Sequence, residues 1–145
     1  MSTVFFDTLY LSREEAGMAA YESTAEFTIE MTPVEGPLQG TSRFDFTKVW
    51  TGAMEGRGAG VMLSGGDPNV GEAGYVALER FEGTVDGRCG CFELQQFGLM
   101  SGGEGSLSYA VVPGSGTRDL AGIQGTIDLN TSNGHHVTFR YTLPD

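Results

Sequence analysis

The stretch of sequence that decides the fold spans residues 111–125 and reads Val111-Val112-Pro113-Gly114-Ser115-Gly116-Thr117-Arg118-Asp119-Leu120-Ala121-Gly122-Ile123-Gln124-Gly125. Apolar, β-prone runs at 107–112 and 120–127 flank its Pro/Gly/Ser turn, a pattern typical of two paired antiparallel strands. The glycines let the backbone bend and approach its neighbours closely. The stretch therefore predicts a strongly bent hairpin in a sheet that closes on itself.

The composition suits one β-rich domain and argues against two kinds of partner. The chain has 145 residues with 19 acidic and 8 basic side chains, a net charge of −11. Such a chain is repelled by phosphate backbones and anionic lipids, so we expect neither nucleic-acid nor membrane binding. Glycine accounts for 23 residues, about twice its usual share. This excess indicates bulges, tight turns and small positions inside a barrel.

The first 21 residues predict an extension before a single barrel domain at 22–145. The capping-box pattern Ser12-Arg13-Glu14-Glu15, followed by alanines, predicts a short helix near residues 12–20. Residues 1–7 contain no basic region and no apolar run of the length of a signal peptide or membrane span. Cys89 and Cys91 stand two apart on one predicted strand, where they cannot close an ordinary disulfide. We therefore expect a soluble, cytoplasmic protein.

Alternation of apolar and polar residues predicts strands through the rest of the chain, most clearly at 135–143. Gly56, Gly58 and Gly60 share one face of a predicted strand. If that face points inward, the glycines leave room for a ligand; if it points outward, they mark bends at a barrel corner. Residues 64–73, which include Gly65-Gly66-Asp67-Pro68-Asn69, predict a long loop.

Three motifs follow one another in the chain: Gly74-Tyr75-Val76-Ala77-Leu78-Glu79, then Gly83-Thr84-Val85-Asp86-Gly87-Arg88-Cys89-Gly90-Cys91-Phe92-Glu93-Leu94-Gln95, then residues 111–125. In this order and spacing they resemble the DUF3224 family of small bacterial proteins of unknown function, over roughly residues 23–143. That family is similar to the allene oxide cyclase barrels, and the run at 115–125 also resembles the hairpin of allene oxide cyclases and dirigent proteins. The resemblance implies an all-β, closed, eight-stranded antiparallel barrel and leaves the activity open.

The period-2 alternation sends several polar side chains to the inner face of the predicted barrel. They are Lys48, Trp50, Glu79, Gln96, Tyr109, His135 and Tyr141. A carboxylate among apolar neighbours has a raised pKa, as a general acid or base near neutral pH requires. We therefore predict Glu79 as the acid or base, with Tyr109, Gln96, His135 and Tyr141 orienting a substrate. The alternative is that Glu79 pairs with Lys48 or a tyrosine and only satisfies the core.

Other side chains are predicted to form the wall of a ligand cavity: Phe44, Phe46, Lys48, Trp50, Tyr75, Phe92 and Phe139. His135 and Tyr141 share one face of one strand, and we expect both to project toward the same end of the lumen. Cys89, Cys91, His135 and His136 are zinc-ligand types, but their spacing fits no known finger, and the cysteines are predicted to point outward while His135 points inward. We expect neither a metal nor a cofactor.

These observations favour two functions for a barrel around an apolar small molecule. The resemblance to allene oxide cyclases implies a cofactor-independent cyclase or isomerase, acting on a mostly apolar metabolite in secondary metabolism. The alternative is a non-catalytic carrier or sensor of a hydrophobic small molecule, which a Glu79 locked to Lys48 would favour. In addition, the outward apolar residues Val76 and Leu78 suggest a homodimer face.

Overall fold

In the computed structural model the chain forms a closed barrel of eight antiparallel strands, which confirms the predicted all-β architecture. The structure describes residues 17–36 and 38–145. The strands are β1 (Met18–Val34), β2 (Ser42–Gly52), β3 (Met54–Asp67), β4 (Glu72–Val85), β5 (Arg88–Ser101), β6 (Glu104–Val111), β7 (Gln124–Asn130) and β8 (His135–Pro144). Each strand pairs with the next in the chain, and β8 pairs with β1 to close the ring.

The inner face of the barrel follows the predicted alternation and is filled with side chains. On β8, Val137, Phe139, Tyr141 and Leu143 are buried and the residues between them are more exposed. Neighbouring aromatic rings then cross the interior in contact with one another, from Trp50 through Phe81 and Phe92 to Phe139. An eight-stranded barrel is just wide enough for its own side chains to fill it. The middle of the barrel is therefore a packed core, where the sequence had predicted a ligand-sized hollow.

Residues 112–123, which we call the end plug, cover one end of the barrel. The Thr117 backbone N–H donates to the Cys91 carbonyl oxygen at 2.9 Å, and the Cys91 N–H donates to Thr117 Oγ1 at 3.0 Å. Leu120 and Ile123 of the plug are fully buried in the core. This close docking requires Gly90, since a Cβ there would lie 2.2 Å from the Thr117 carbonyl oxygen.

The end plug corrects the predicted hairpin between 107–112 and 120–127. The two strands that flank the plug, β6 and β7, pair in register only at Ala110 and Thr126. Residues 118–120 form a short 3-10 helix, and β7 begins only at Gln124. Leu120 and Ile123 therefore act as core residues of a cap, and not as strand residues.

Two local predictions also differ from the structure. Of the helix predicted near 12–20, residues 12–16 lie outside the described residues, while Met18, Ala19 and Ala20 belong to β1, so the helix is wrong there. The loop predicted at 64–73 is largely a continuation of β3 and β4, which pair up to Asp67 and Glu72 around a 3-10 turn at Pro68–Val70. Alternation alone missed these strand ends because Gly65 and Gly66 contribute no side chains to it.

We expect Leu120→Ala to lower the free energy of unfolding by about 2–5 kcal/mol, because it leaves a cavity under the end plug. Urea unfolding followed by circular dichroism measures this loss. Val70→Ala is the control, because Val70 is 70 % exposed and its truncation should change stability by less than about 0.5 kcal/mol. Equal effects of the two substitutions would contradict the role of the plug in the core.

Candidate functional site

A buried polar network occupies the barrel interior at the level of Lys48 and Glu79, each of which is only 3 % exposed. Lys48 Nζ donates to Glu79 Oε1 at 2.7 Å and to the Tyr109 hydroxyl at 3.0 Å. Trp50 Nε1–H donates to the other carboxylate oxygen, Glu79 Oε2, at 2.9 Å. Both oxygens of Glu79 are thus occupied by donors from its own chain.

The inward glycines of β3 make room for this network. Gly58 lies opposite Lys48 in the β2–β3 register, and a Cβ at Gly58 would lie 2.0 Å from Glu79 Oε2. A Cβ at Gly60 would lie 2.6 Å from the Phe46 ring. The face that carries these glycines therefore points inward, but the space they leave is taken by the protein's own side chains.

Burial sets the electrostatics of the network. Desolvation lowers the pKa of Lys48, and the nearby Glu79 carboxylate offsets part of that effect. The ammonium also lies 4.0 Å from the centroid of the Phe27 ring, a cation–π contact. Burial raises the pKa of Tyr109 well above its ordinary value, and the charge of Glu79 raises it further. Tyr109 is therefore a neutral phenol at physiological pH.

Above this network, at the end of the barrel away from the plug, a recess of about 180 Å³ opens to solvent. We call this recess the mouth. Its lining is Phe27, Ile29, Met31, Phe46, Lys48, Met62, Tyr75, Ala77, Gln96, Leu129, Thr131 and His135. Seven of these twelve side chains are apolar and five carry a polar group, a mixture that suits a small-molecule site.

The polar groups of the mouth are held in fixed positions. Gln96 Nε2 donates to the Tyr75 hydroxyl oxygen at 2.6 Å, which leaves the hydroxyl proton of Tyr75 for another acceptor. Burial raises the pKa of Tyr75, with the Gln96 hydrogen bond acting in the opposite direction. The His135 ring stacks on Phe27 with centroids 4.8 Å apart. The mouth thus presents a phenol donor and a flat imidazole among mostly apolar side chains.

Several predicted ligand-wall residues lie elsewhere. Phe92 and Phe139 are fully buried in the packed core, and Trp50 belongs to the network. Phe44 is half-buried on β2. Of the wall residues proposed from sequence, the mouth brings together Phe46, Lys48 and Tyr75. Ile29, Met31, Met62 and Leu129 are among the lining residues that sequence reasoning did not select; their inward parity on β1, β3 and β7 was the available signal.

The prediction that His135 and Tyr141 project toward one end is wrong. His135 lines the mouth, whereas the Tyr141 hydroxyl donates to Asp86 in the β4–β5 turn, at the plugged end. The two residues are six positions apart along β8, which corresponds to about 20 Å. Sharing one face of a strand fixed their direction but not their depth in the barrel.

The plugged end carries a polar cluster that sequence reasoning missed. Ser23 Oγ donates to Asp86 Oδ2 at 2.6 Å, and Arg88 Nη2 donates to the Tyr21 hydroxyl at 3.0 Å. The Tyr21 and Tyr141 rings stack with centroids 5.1 Å apart. The dipeptide Asp86-Gly87 was the available signal in the sequence, because Asp-Gly favours a two-residue hairpin turn. Both residues have the positive φ that such a turn requires.

Larger depressions lie on the outer wall and not in the lumen. One of them, of about 720 Å³, is a groove between β1, β7 and β8 lined by solvated polar residues such as Glu26, Asp128 and His136. Cys89 and Cys91 are free thiols. In the part of the chain that the structure describes, we find no helix with the length and apolar character needed to cross a membrane.

These features define a class of protein: a closed eight-stranded barrel with a packed core, one plugged end and one small apolar mouth. The family model DUF3224, a protein of unknown function, matches residues 18–142, and the chain belongs to this family. A crystal structure of a DUF3224-family protein of unknown function from Shewanella oneidensis MR-1 is similar, with 34 % sequence identity and a TM-score of 0.79. The match covers 88 % of this chain and 98 % of that chain.

No curated protein matches the chain. The likeness to allene oxide cyclases therefore stays a prediction, and the family itself brings no activity to this site.

We expect Lys48→Met to lower the free energy of unfolding by about 3–5 kcal/mol, because it leaves the Glu79 carboxylate buried without its cation. Adding Glu79→Gln should restore most of this loss, since the second substitution removes the unpaired charge. Chemical unfolding of the single and double variants measures the coupling.

The matched control for this cycle is the exposed pair Arg80–Glu93, whose charged atoms lie 3.9 Å apart on the outer wall. Arg80→Met should cost about 0–1 kcal/mol. Additive losses in the double variant of Lys48 and Glu79 would rule out a coupled pair.

In an alkaline titration, we expect several tyrosines to ionise at a higher pH than an ordinary tyrosine does. Tyr75, Tyr109 and Tyr141 have folded-state pKa values above the 10.0 of an ordinary tyrosine, so the folded state holds more protons above that pH. The stability they contribute is complete below about pH 10 and is lost as the pH rises. Lys48 has the opposite effect on stability, because its folded-state pKa lies below the ordinary 10.5. Between these two pKa values the unfolded state binds more protons than the folded state, so stability rises with pH there.

We therefore expect Tyr109 and Tyr141 to ionise only as the barrel unfolds. Tyrosinate absorbance and far-UV circular dichroism, followed in one titration, compare the two events. Tyr109→Phe should remove one of the late ionisations and leave the others. Complete tyrosine ionisation with the circular dichroism spectrum intact would contradict this expectation.

Proposed function

We propose that this protein is a carrier or sensor that binds a small, mostly apolar molecule in its mouth without changing it. The observation that carries the proposal is the state of Glu79, whose two carboxylate oxygens are held by Lys48 and Trp50. A general acid or base must be free to reach the proton it transfers. A carboxylate that is 3 % exposed and already paired is poorly suited to that task.

The chemistry of the mouth supports a ligand that is apolar over most of its surface. Phe27, Phe46 and Met62 offer flat and flexible apolar contacts, and Met adapts readily to different shapes. The free proton of Tyr75 supports one hydrogen-bond acceptor on the ligand, such as a carbonyl oxygen. A carboxylate is less suited, because Glu79 neutralises Lys48 beneath the mouth.

The size of the mouth limits the ligand. Its volume of about 180 Å³ lies below the roughly 300–1,000 Å³ of sites for drug-sized molecules. We therefore infer a small flat molecule, or the end of a longer one that extends into solvent.

Acetophenone is a suitable probe, because it is flat, apolar and carries one carbonyl acceptor. Ala77→Phe places a ring in the mouth and should weaken acetophenone binding at least about tenfold, measured by ligand-observed NMR. Ala20→Phe makes the same change at an exposed position of β1 and should leave binding unchanged. Equal binding by both variants would place the probe outside the mouth.

A second candidate function is the cofactor-independent isomerase or cyclase. The observation that favours it is that the Tyr75–Gln96 pair and His135 line the same mouth, where the pair could polarise a carbonyl and His135 could accept a neighbouring proton. For this second function the reacting groups are Tyr75, Gln96 and His135. Glu79, Tyr109 and Tyr141 take no part in the proposed reaction.

Deuterium exchange separates the two functions. An isomerase mouth should speed the exchange of the acetophenone methyl protons in D₂O, and His135→Gln should abolish that acceleration. A carrier binds the probe without faster exchange. Native mass spectrometry of freshly purified protein then identifies the molecule that occupies the mouth in the cell.

A further inference from the structure

The outer wall of the barrel carries a contiguous apolar surface on β3, β4 and β5. We call this surface the apolar face; it consists of Val61, Leu63, Val76, Leu78, Phe97 and Leu99. Register places these side chains directly beside one another, with Leu63 opposite Val76 and Val76 opposite Phe97. Four of the six, Val76, Leu78, Phe97 and Leu99, are between 44 % and 61 % exposed.

The apolar face is free of charge although the chain carries a net charge of −11. On β4 the outward positions between Glu72 and Arg80 are Gly74, Val76 and Leu78. The Arg80–Glu93 ion pair borders the face on one side. Interfaces commonly have this arrangement, with an uncharged centre that includes an aromatic residue and a charged rim.

We propose that the apolar face is the interface of a homodimer, in which two barrels pack their β3–β5 walls face to face. Two copies that each carry −11 repel one another over most of their surface, and close approach is least opposed where no charge is present. Packed sheets lie about 10 Å apart and bury alternate residues of each strand, which are the residues of the apolar face.

The dimensions of the apolar face suit this role. Including the uncharged outward residues of β6, the region is four strands wide and about seven residues long. At the usual strand spacing and rise it measures roughly 19 Å by 23 Å. Measured along the curved wall this is about 440 Å², roughly half of the 800 Å² that each partner of a standard interface removes from water, so the charged rim around the face must supply the rest.

The relief of the apolar face also suits a contact between two copies. Leu99 is 61 % exposed and stands between two hollows of about 350 Å³ and 260 Å³. Leu38, Leu63 and Val76 line the first hollow, and Gly74 and Leu107 line the second. In a two-fold dimer the same patch meets itself, so Leu99 of each copy can enter a hollow of the other.

The chain's own residues 1–16 are the competing occupant, because they include Val4, Phe5, Phe6 and Leu9. The described chain begins at Gly17, whose carbonyl accepts from the Asp145 N–H beside β1 and β8. In a closed ring of eight strands, β5 is four strands away from β1 in either direction, on the opposite wall. A segment that ends at Gly17 would have to run around half of the barrel to cover the apolar face, whereas a second copy can contact the face directly.

Sedimentation equilibrium of the full chain tests the proposal over about a hundredfold range of concentration. We expect a mass of twice 15.4 kDa for the wild type. Val76→Lys should raise the dimer dissociation constant at least about 30-fold, the effect of losing a central contact. Val49→Lys is the matched control, because Val49 is 45 % exposed on β2, against 54 % for Val76.

Leu99→Gln provides a second variant that adds no charge, and it should also weaken the dimer while keeping the far-UV circular dichroism spectrum of the wild type. A wild type that stays at 15.4 kDa would overturn the proposal, whether the face is covered by residues 1–16 or by nothing. A dimer weakened equally by Val49→Lys and Val76→Lys would overturn the assignment to this face.

Discussion

The buried ion pair between Lys48 and Glu79 is the constraint on which the rest of the interior depends. A charge out of contact with water is tolerated only if its partners are close and well oriented, and here Trp50 and Tyr109 complete the set. The four side chains come from β2, β4 and β6, with Gly58 of β3 leaving the space between them. A one-residue slip of any of these strands would turn its polar group outward, so the network helps to fix the register of half the barrel.

The alternation of the sequence was sufficient to predict the middle parts of most strands and the inward direction of Lys48, Glu79 and Tyr109, all of which are buried. It could not predict how full the lumen is, because a period of two gives direction and says nothing about volume. Depth along a strand was equally hidden, as His135 and Tyr141 illustrate. The end plug was missed because Leu120 and Ile123 are β-prone residues that tertiary contacts place in a cap.

The mouth and the apolar face lie on the two sides of the same strands. Tyr75 points into the mouth from β4, and its neighbour Val76 points outward from the same strand. A Cβ at Gly98 of β5 would lie 2.6 Å from the Tyr75 ring, so the ring packs closely against the β5 backbone. Any shift of β5 against β4 on assembly would therefore reach the hydrogen bond between Tyr75 and Gln96.

The single registered pair between β6 and β7, Ala110 with Thr126, makes this joint different from the other seven. Elsewhere neighbouring strands share seven or more registered pairs, as β7 and β8 do. A ring of strands opens first where the pairing is weakest, so we expect amide protons there to exchange through local opening rather than global unfolding. Thermal fluctuations should therefore separate β6 from β7 for short times while the other seven strand pairs stay formed.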